Sequence, residues 1–181
     1  MDTMMLSTQA EIVRTLQTEF DDGFTLLVEA YQPGIYSGAL RFTRSREDAQ
    51  EVAQDTFLRA YTALERYDDA RIDALQVRAW LWTIAVNLCR TRARRARPTS
   101  SLPRDDVLGA ELDTHFDDDD WNRRLEALSS PQRTAVVLRH VVDLPVTEIA
   151  DITGRPIGTV KADISRGLKK LRTTLESEML K

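Results

Sequence analysis

Apolar residues along this chain recur at steps of three and four, the spacing of one helix face, and no segment reads as a strand. From Phe24 the positions Phe24, Leu27, Val28, Tyr31 and Ile35 form one such face. Pro33 falls inside the pattern, so a helix is expected to end near Tyr31 or kink there, with a second helix opening at the proline and reaching about Phe42. Ser45-Arg46-Glu47-Asp48 offers a capping-box-like start. The helix that follows is predicted to bury Ala49, Val52, Ala53, Ala60, Tyr61 and Leu64. Residues 65–76 break the periodicity and read as a loop. Helical spacing resumes at Val77, with Trp80, Leu81, Ile84, Ala85 and Leu88 on one face. Residues 1–20 are a weakly patterned leader, in part helical.

The pattern stops at Pro98. Residues 98–120 hold two prolines, serines, a glycine and few apolar positions, too little apolar surface to offset chain entropy. They read as a flexible linker that, fully extended, would reach roughly 75–80 Å. Helical spacing then returns in a short segment over Trp121–Leu128. A next helix is capped by Ser129 or Ser130, has Pro131 in its first turn and holds Ala135, Val136, Leu138 and Val142 inside. Val146–Thr153 forms a short helix burying Ile149, Ala150 and Ile152, and Gly154 suits the left-handed position past its end. The final helix starts at Pro156, with Ile157, Val160, Ile164, Leu168 and Leu171 predicted to face inward. A short helix, a glycine turn and a longer basic helix are the helix-turn-helix pattern. The fold class is therefore all-α: two small helical domains, at 21–97 and 121–181, joined by the 98–120 linker.

Charge adds to this picture because it is segregated. The net charge is −4, but five arginines lie between Arg90 and Arg97, six basic residues between Arg155 and Arg172, and eight carboxylates between Asp105 and Asp120. Local fields of opposite sign outweigh the average. The single cysteine, Cys89, excludes an intramolecular disulfide and a cysteine-rich zinc site, and its apolar helical neighbours predict a buried thiol. No apolar run approaches a membrane span and the N-terminus lacks a signal-peptide pattern, so membrane insertion is not expected and a cytoplasmic location is.

The chemistry these residues can support is binding rather than catalysis. On the last helix, Thr159, Lys161, Ala162, Ser165, Arg166 and Lys169 fall away from the predicted inward face. Small residues there would admit a DNA groove, and Lys161 and Arg166 could pair with phosphates or guanine edges. The same charges would also suit a plain solvated face; the helix-turn-helix pattern upstream favours DNA. Asp163 is the anomaly in this basic helix. It could orient Arg166 or Arg155, or accept from a cytosine amino group. The arginines from Arg90 to Arg97 spread around their helix as a cationic end. Trp80 is expected in the core, and Trp82, off the apolar face, is the better candidate for stacking on an unpaired base. The face Asp48, Glu51, Gln54 and Asp55 has no histidine or cysteine beside it, and Asp117 to Asp120 lack the spacing of a calcium loop. No metal, cofactor or catalytic constellation can be assembled.

In three blocks the chain resembles the extracytoplasmic-function sigma factors, the smallest sigma subunits of bacterial RNA polymerase. DAQEVAQDTFLRAY, from Asp48 to Tyr61, is similar to the family's polymerase-binding helix. AWLWTIAVNLCRTRARR, from Ala79 to Arg95, is similar to its promoter-melting helix. The stretch from Leu128 to Arg172 resembles its second domain. The resemblance implies a non-enzymatic transcription initiation factor whose partners are core RNA polymerase (largest-subunit clamp helices and flap), promoter DNA and an anti-sigma factor. It implies that Asp48, Glu51, Gln54 and Asp55 dock on polymerase. Tyr67, Arg71, Trp82, Asn87 and Arg90 would capture and hold the melted −10 element. Arg155, Thr159, Lys161, Ala162, Asp163, Ser165, Arg166 and Lys169 would meet the −35 element as duplex, and the acidic linker would run near the RNA exit path. Two departures stand out: Asp163 takes a place where the family usually carries arginine, and Pro145 that of a capping serine. The competing readings are a free-standing helix-turn-helix regulator, which would need neither the docking nor the melting helix, and a nuclease built on Asp117 to Asp120.

Overall fold

Burial of one stripe per helix decides where each helix runs, and in the first half it overrides a proline. The computed structural model of the chain describes residues 2–95 and 118–179. After α1 (Asp2–Thr18), α2 (Phe20–Thr43) runs through Pro33 as one helix, so it neither ends near Tyr31 nor gives way to a second helix at the proline. An interior proline costs about 3 kcal/mol. Leu27, Tyr31, Ile35 and Ala39, at successive four-residue steps, all stay buried only if the helix is unbroken, and Pro33 sits on its exposed side. The burial outweighs the local cost.

The helix α3 (Arg46–Leu64) begins as its sequence predicts: Ser45 is the N-cap and its hydroxyl accepts from the Asp48 N–H at 3.2 Å. Residues 65–76 are not wholly loop. A short helix, α4 (Asp69–Asp73), forms because Asp68 caps it, accepting from the Arg71 N–H at 2.9 Å, and because Ile72 is buried. The long helix α5 (Val77–Arg95) closes this half. The leader also gains a role, since Ile12 and Leu16 of α1 are buried in the same core.

The second half holds α6 (Asp118–Glu126), α7 (Ser130–His140), α8 (Val146–Thr153) and α9 (Ile157–Met179). Ser129 is the N-cap of α7, its N–H donating to the Gln132 side chain at 3.3 Å. The linker expected over 98–120 lies outside the described residues, except that Asp118 to Asp120 already belong to α6. No strand occurs among the described residues.

The halves pack on each other, α5 against α8 and α2 against α7. One buried apolar cluster runs from Ile12 to Val160, taking in Ile149 and Ile152 of α8. Phe42 bridges the halves from the end of α2. Its ring lies 6.2 Å from that of Trp82, edge to face, and it also packs against the second buried cluster, formed by Leu125, Leu128, Val136, Val137 and Leu171.

Candidate polymerase and nucleic-acid interfaces

Asp48, Glu51 and Asp55 stand on one face of α3, at spacings of three and four residues. Their counter-ion comes from α5. The Arg92 guanidinium bonds Asp48 at 3.2 Å, pairs with Glu51 and lies 3.9 Å from Asp55. The sequence places Arg92 in a bare cationic helix end; in the fold it turns back and partly neutralises this acidic face. A single exposed pair contributes little, but one arginine shared by three carboxylates fixes their side chains. Gln54 is exposed beside them, and Leu58, next along the helix, is 66% exposed.

The segment from Tyr67 to Arg90 assembles differently. The Arg71 guanidinium lies over the Tyr67 ring, 3.8 Å from its centroid, a cation–π contact that aligns both side chains. Trp80 is only half-buried, its ring 6.1 Å from that of Tyr67. Trp82 is 2% exposed. The expectation for the two tryptophans is thus reversed, and Gly38 is the reason. A β-carbon there would lie 2.2 Å from the Trp82 ring, so the absent side chain makes the slot that Trp82 fills. Trp82 offers no face to a base in this structure, while Trp80 extends the Tyr67–Arg71 surface. No periodicity could reveal that placement, because it depends on Tyr67, thirteen residues earlier in the chain, coming beside Trp80. Asn87 is exposed. Arg90 donates through Nη2 to the Thr153 carbonyl at 3.0 Å, across to the other half. Burial, and then the charge of Arg155, hold Arg90 below its ordinary pKa.

In the helix-turn-helix, Gly154 takes the left-handed conformation expected of it, φ 63°, and the Arg155 N–H closes on the Ala150 carbonyl at 3.1 Å. Pro145 is the N-cap of α8 and provides no side-chain bond. The inward face of α9 is Val160, Asp163, Gly167 and Leu171. This corrects the predicted phase, since Leu168 is exposed and Gly167 takes the inward place. A β-carbon at Gly167 would lie 2.7 Å from Val136, so the glycine sets the spacing of α9 and α7. Asp163 is 5% exposed and ion-paired with Arg155 of the turn. Of the two alternatives for Asp163, the fold shows the pairing one, with the carboxylate turned from solvent. Thr159, Lys161, Ala162, Ser165, Arg166 and Lys169 fall within an arc of about 160° on the opposite side, at roughly 100° per residue. Among the described residues no carboxylate pairs with Lys161, Arg166 or Lys169. The arc is small or cationic throughout.

Residues 27–99 match the family model described as Sigma-70 region 2, and residues 119–171 the one described as Sigma-70, region 4. Among curated relatives, the RNA polymerase sigma-E factor of Streptomyces avermitilis is 31% identical over 161 residues, 87% of each chain. The ECF RNA polymerase sigma factor SigW of Bacillus subtilis is 29% identical over 176 residues, 85% of this chain and 89% of that one. CnrH, solved in complex with the cytosolic domain of CnrY, shares the fold at a TM-score of 0.70 and 23% identity, covering 94% of this chain and 98% of that one. RpoE of Bartonella quintana, solved with the anti-sigma factor NepR, does so at 0.68 and 23%, covering 84% and 96%.

The two halves in this order are those of a sigma subunit of bacterial RNA polymerase. The chain belongs to the ECF RNA polymerase sigma factors. It is a non-enzymatic initiation factor that binds core polymerase and directs promoter-specific transcription through −35 and −10 elements. The free-standing regulator is disfavoured by the match to region 2, which such a protein would not need. No described helix is long and apolar enough to cross a membrane.

Proposed function

We propose that this sigma factor divides its work among three surfaces. Asp48, Glu51, Gln54 and Asp55 of α3, steadied by Arg92, dock on the clamp helices of the polymerase's largest subunit. Tyr67, Arg71 and Trp80, with Asn87 and Arg90 along α5, receive a flipped base and the melted strand of the −10 element. Thr159, Lys161, Ala162, Ser165, Arg166 and Lys169 meet the −35 element as duplex, while Arg155 and Asp163 hold the turn that presents them. Trp82 is left to the core. On this reading residues 21–97 form the polymerase-binding and melting unit, 121–181 the −35 unit and 98–120 the tether between them. The second unit also touches the polymerase flap. The protein works in the cytoplasm, where core polymerase and chromosome meet, under an anti-sigma factor. CnrH and RpoE, of the same fold, were each solved with such a partner or a cytosolic domain bound.

The observation that carries the −35 assignment is the arc of α9 from Thr159 to Lys169, small or cationic throughout, with the nearby Asp163 turned inward against Arg155. Run-off transcription with core polymerase on a promoter library tests the whole division. Lys161→Ala should weaken −35-dependent promoters about uniformly and leave preference at the −10 element unchanged. Arg71→Ala should relax preference at the −10 position alone. Identical promoter rankings for both variants would overturn the assignment.

A further inference from the structure

We infer that α1 positions the segment that reads the −10 element, through the side-chain amide of Gln17. The inference rests on the −10 assignment of Tyr67 and Arg71 given above. Gln17 Nε2 donates to the Asp69 carbonyl and to Asp73 Oδ1, each at 3.0 Å. Those acceptors are the first and last residues of α4, so one amide group spans the whole short helix. A helix of this length has almost no stability of its own. Its other ties are the Asp68 cap and the buried Ile72. Arg71 lies between the two residues that Gln17 holds, and its guanidinium stands over Tyr67. Fixing α4 therefore fixes the pair that faces the base.

The amide is itself well placed to act as a brace. Its neighbour Leu16 is buried, as is Ile12 one turn earlier. At Gly23 a β-carbon would lie 2.3 Å from the Leu16 nitrogen, so α1 and α2 touch backbone to backbone. A displacement of α1 would thus be felt at α4 rather than absorbed between. The chemistry required is two donors on one nitrogen. Lysine can supply them; glutamate cannot, and would set a second negative charge against Asp73.

The test uses the full chain with core polymerase, on a matched promoter and on promoters changed at single −10 or −35 positions. Gln17→Glu should lower −10 discrimination about fivefold, roughly what one net hydrogen bond supports. Core affinity, −35 discrimination and Tm should hold. Gln17→Lys should keep −10 discrimination, and Asp73→Lys placed on Gln17→Glu should restore it in part, an ion pair replacing the bond to Asp73 while the Asp69 carbonyl stays without its donor. Arg71→Ala runs beside them as control. If it loses −10 discrimination while Gln17→Glu does not, or if Gln17→Glu lowers −10 and −35 discrimination alike, the brace is overturned and the −10 assignment stands. If Arg71→Ala leaves −10 discrimination intact, the assignment itself falls and takes the brace with it.

Discussion

The two halves present cations in opposite ways. In the first, the arginines facing the working surfaces are engaged internally: Arg92 with three carboxylates, Arg71 over Tyr67, Arg90 on a carbonyl of the other half. In the second, the acid in the N-terminal half of α9, Asp163, is the group tied down, and Lys161, Arg166 and Lys169 stand on a bare arc. The contrast follows from what each half meets. A duplex offers a regular array of phosphates, and a rigid helix with unpaired cations matches it by itself. An extruded base offers no array, so the groups receiving it must be held in place beforehand, by ion pairs, a cap and aromatic contacts.

The contrast can be broken most forcefully at its tryptophans. Trp82→Ala should cost about 3–5 kcal/mol of stability, as expected for a large aromatic removed from a core, read from urea unfolding. Trp80→Ala should cost clearly less stability than Trp82→Ala and impair promoter opening, read by permanganate reactivity of unpaired thymines. A stable Trp82→Ala protein that fails to open promoters would return the stacking role to Trp82. Next in size, Asp163→Ala should destabilise the chain by roughly 1–3 kcal/mol, the range for a buried polar partner left unmatched. Its preference among −35 sequences, measured by fluorescence anisotropy on folded protein, should not move. A changed preference would put Asp163 back among the base-reading residues.

Lys161→Ala sharpens the difference more gently. It should lower the slope of log affinity against log salt for −35 duplex by about one, with little effect on sequence preference. Arg92→Ala should leave that slope alone and weaken core polymerase binding severalfold, by loosening the carboxylates of α3. The smallest effect belongs to Cys89. Burial pushes its thiol up from 9.0 to about 12, so the folded state favours the protonated form. That stabilisation is complete below pH 9.0, where the unfolded thiol is also protonated, and declines as pH rises toward 12. Iodoacetamide at pH 8 should leave native Cys89 untouched and alkylate it in urea.

Much of the architecture was legible because it depends on neighbours close in sequence. The Ser45 cap, a cap of α7 at Ser129 or Ser130, the Gly154 turn and the stripe of α8 follow from spacing and side-chain chemistry alone, as does the stripe of α3 except that Tyr61 is only part-buried and Phe57 is buried. The errors arose where a distant residue decides. Pro33 stays helical because residues on both sides of it share one core stripe. Trp82 and Trp80 exchange places because Gly38, on another helix, opens a slot. The face of α9 turns by one residue because Gly167 admits Val136 and because Arg155, across the turn, makes burial of Asp163 tolerable. In the candidate sites the residue types were readable, yet Arg92 and Gln17 carried no periodic signal, since each acts on an element more than forty residues away.

The seam between the halves has a consequence of its own. Elements at −35 and −10 lie about 25 base pairs apart, roughly 85 Å along B-DNA at ~3.4 Å per pair. Here the end of α5 touches α8 at 3.0 Å. On the assignments proposed above, holding both elements at that separation would require the seam of Phe42, Arg90 and the α5–α8 contact to separate. The promoter affinity one measures is then the affinity of the open form scaled by its population. The seam would then act as a set-point, with residues such as Phe42 fixing how much of the protein is ready to bind.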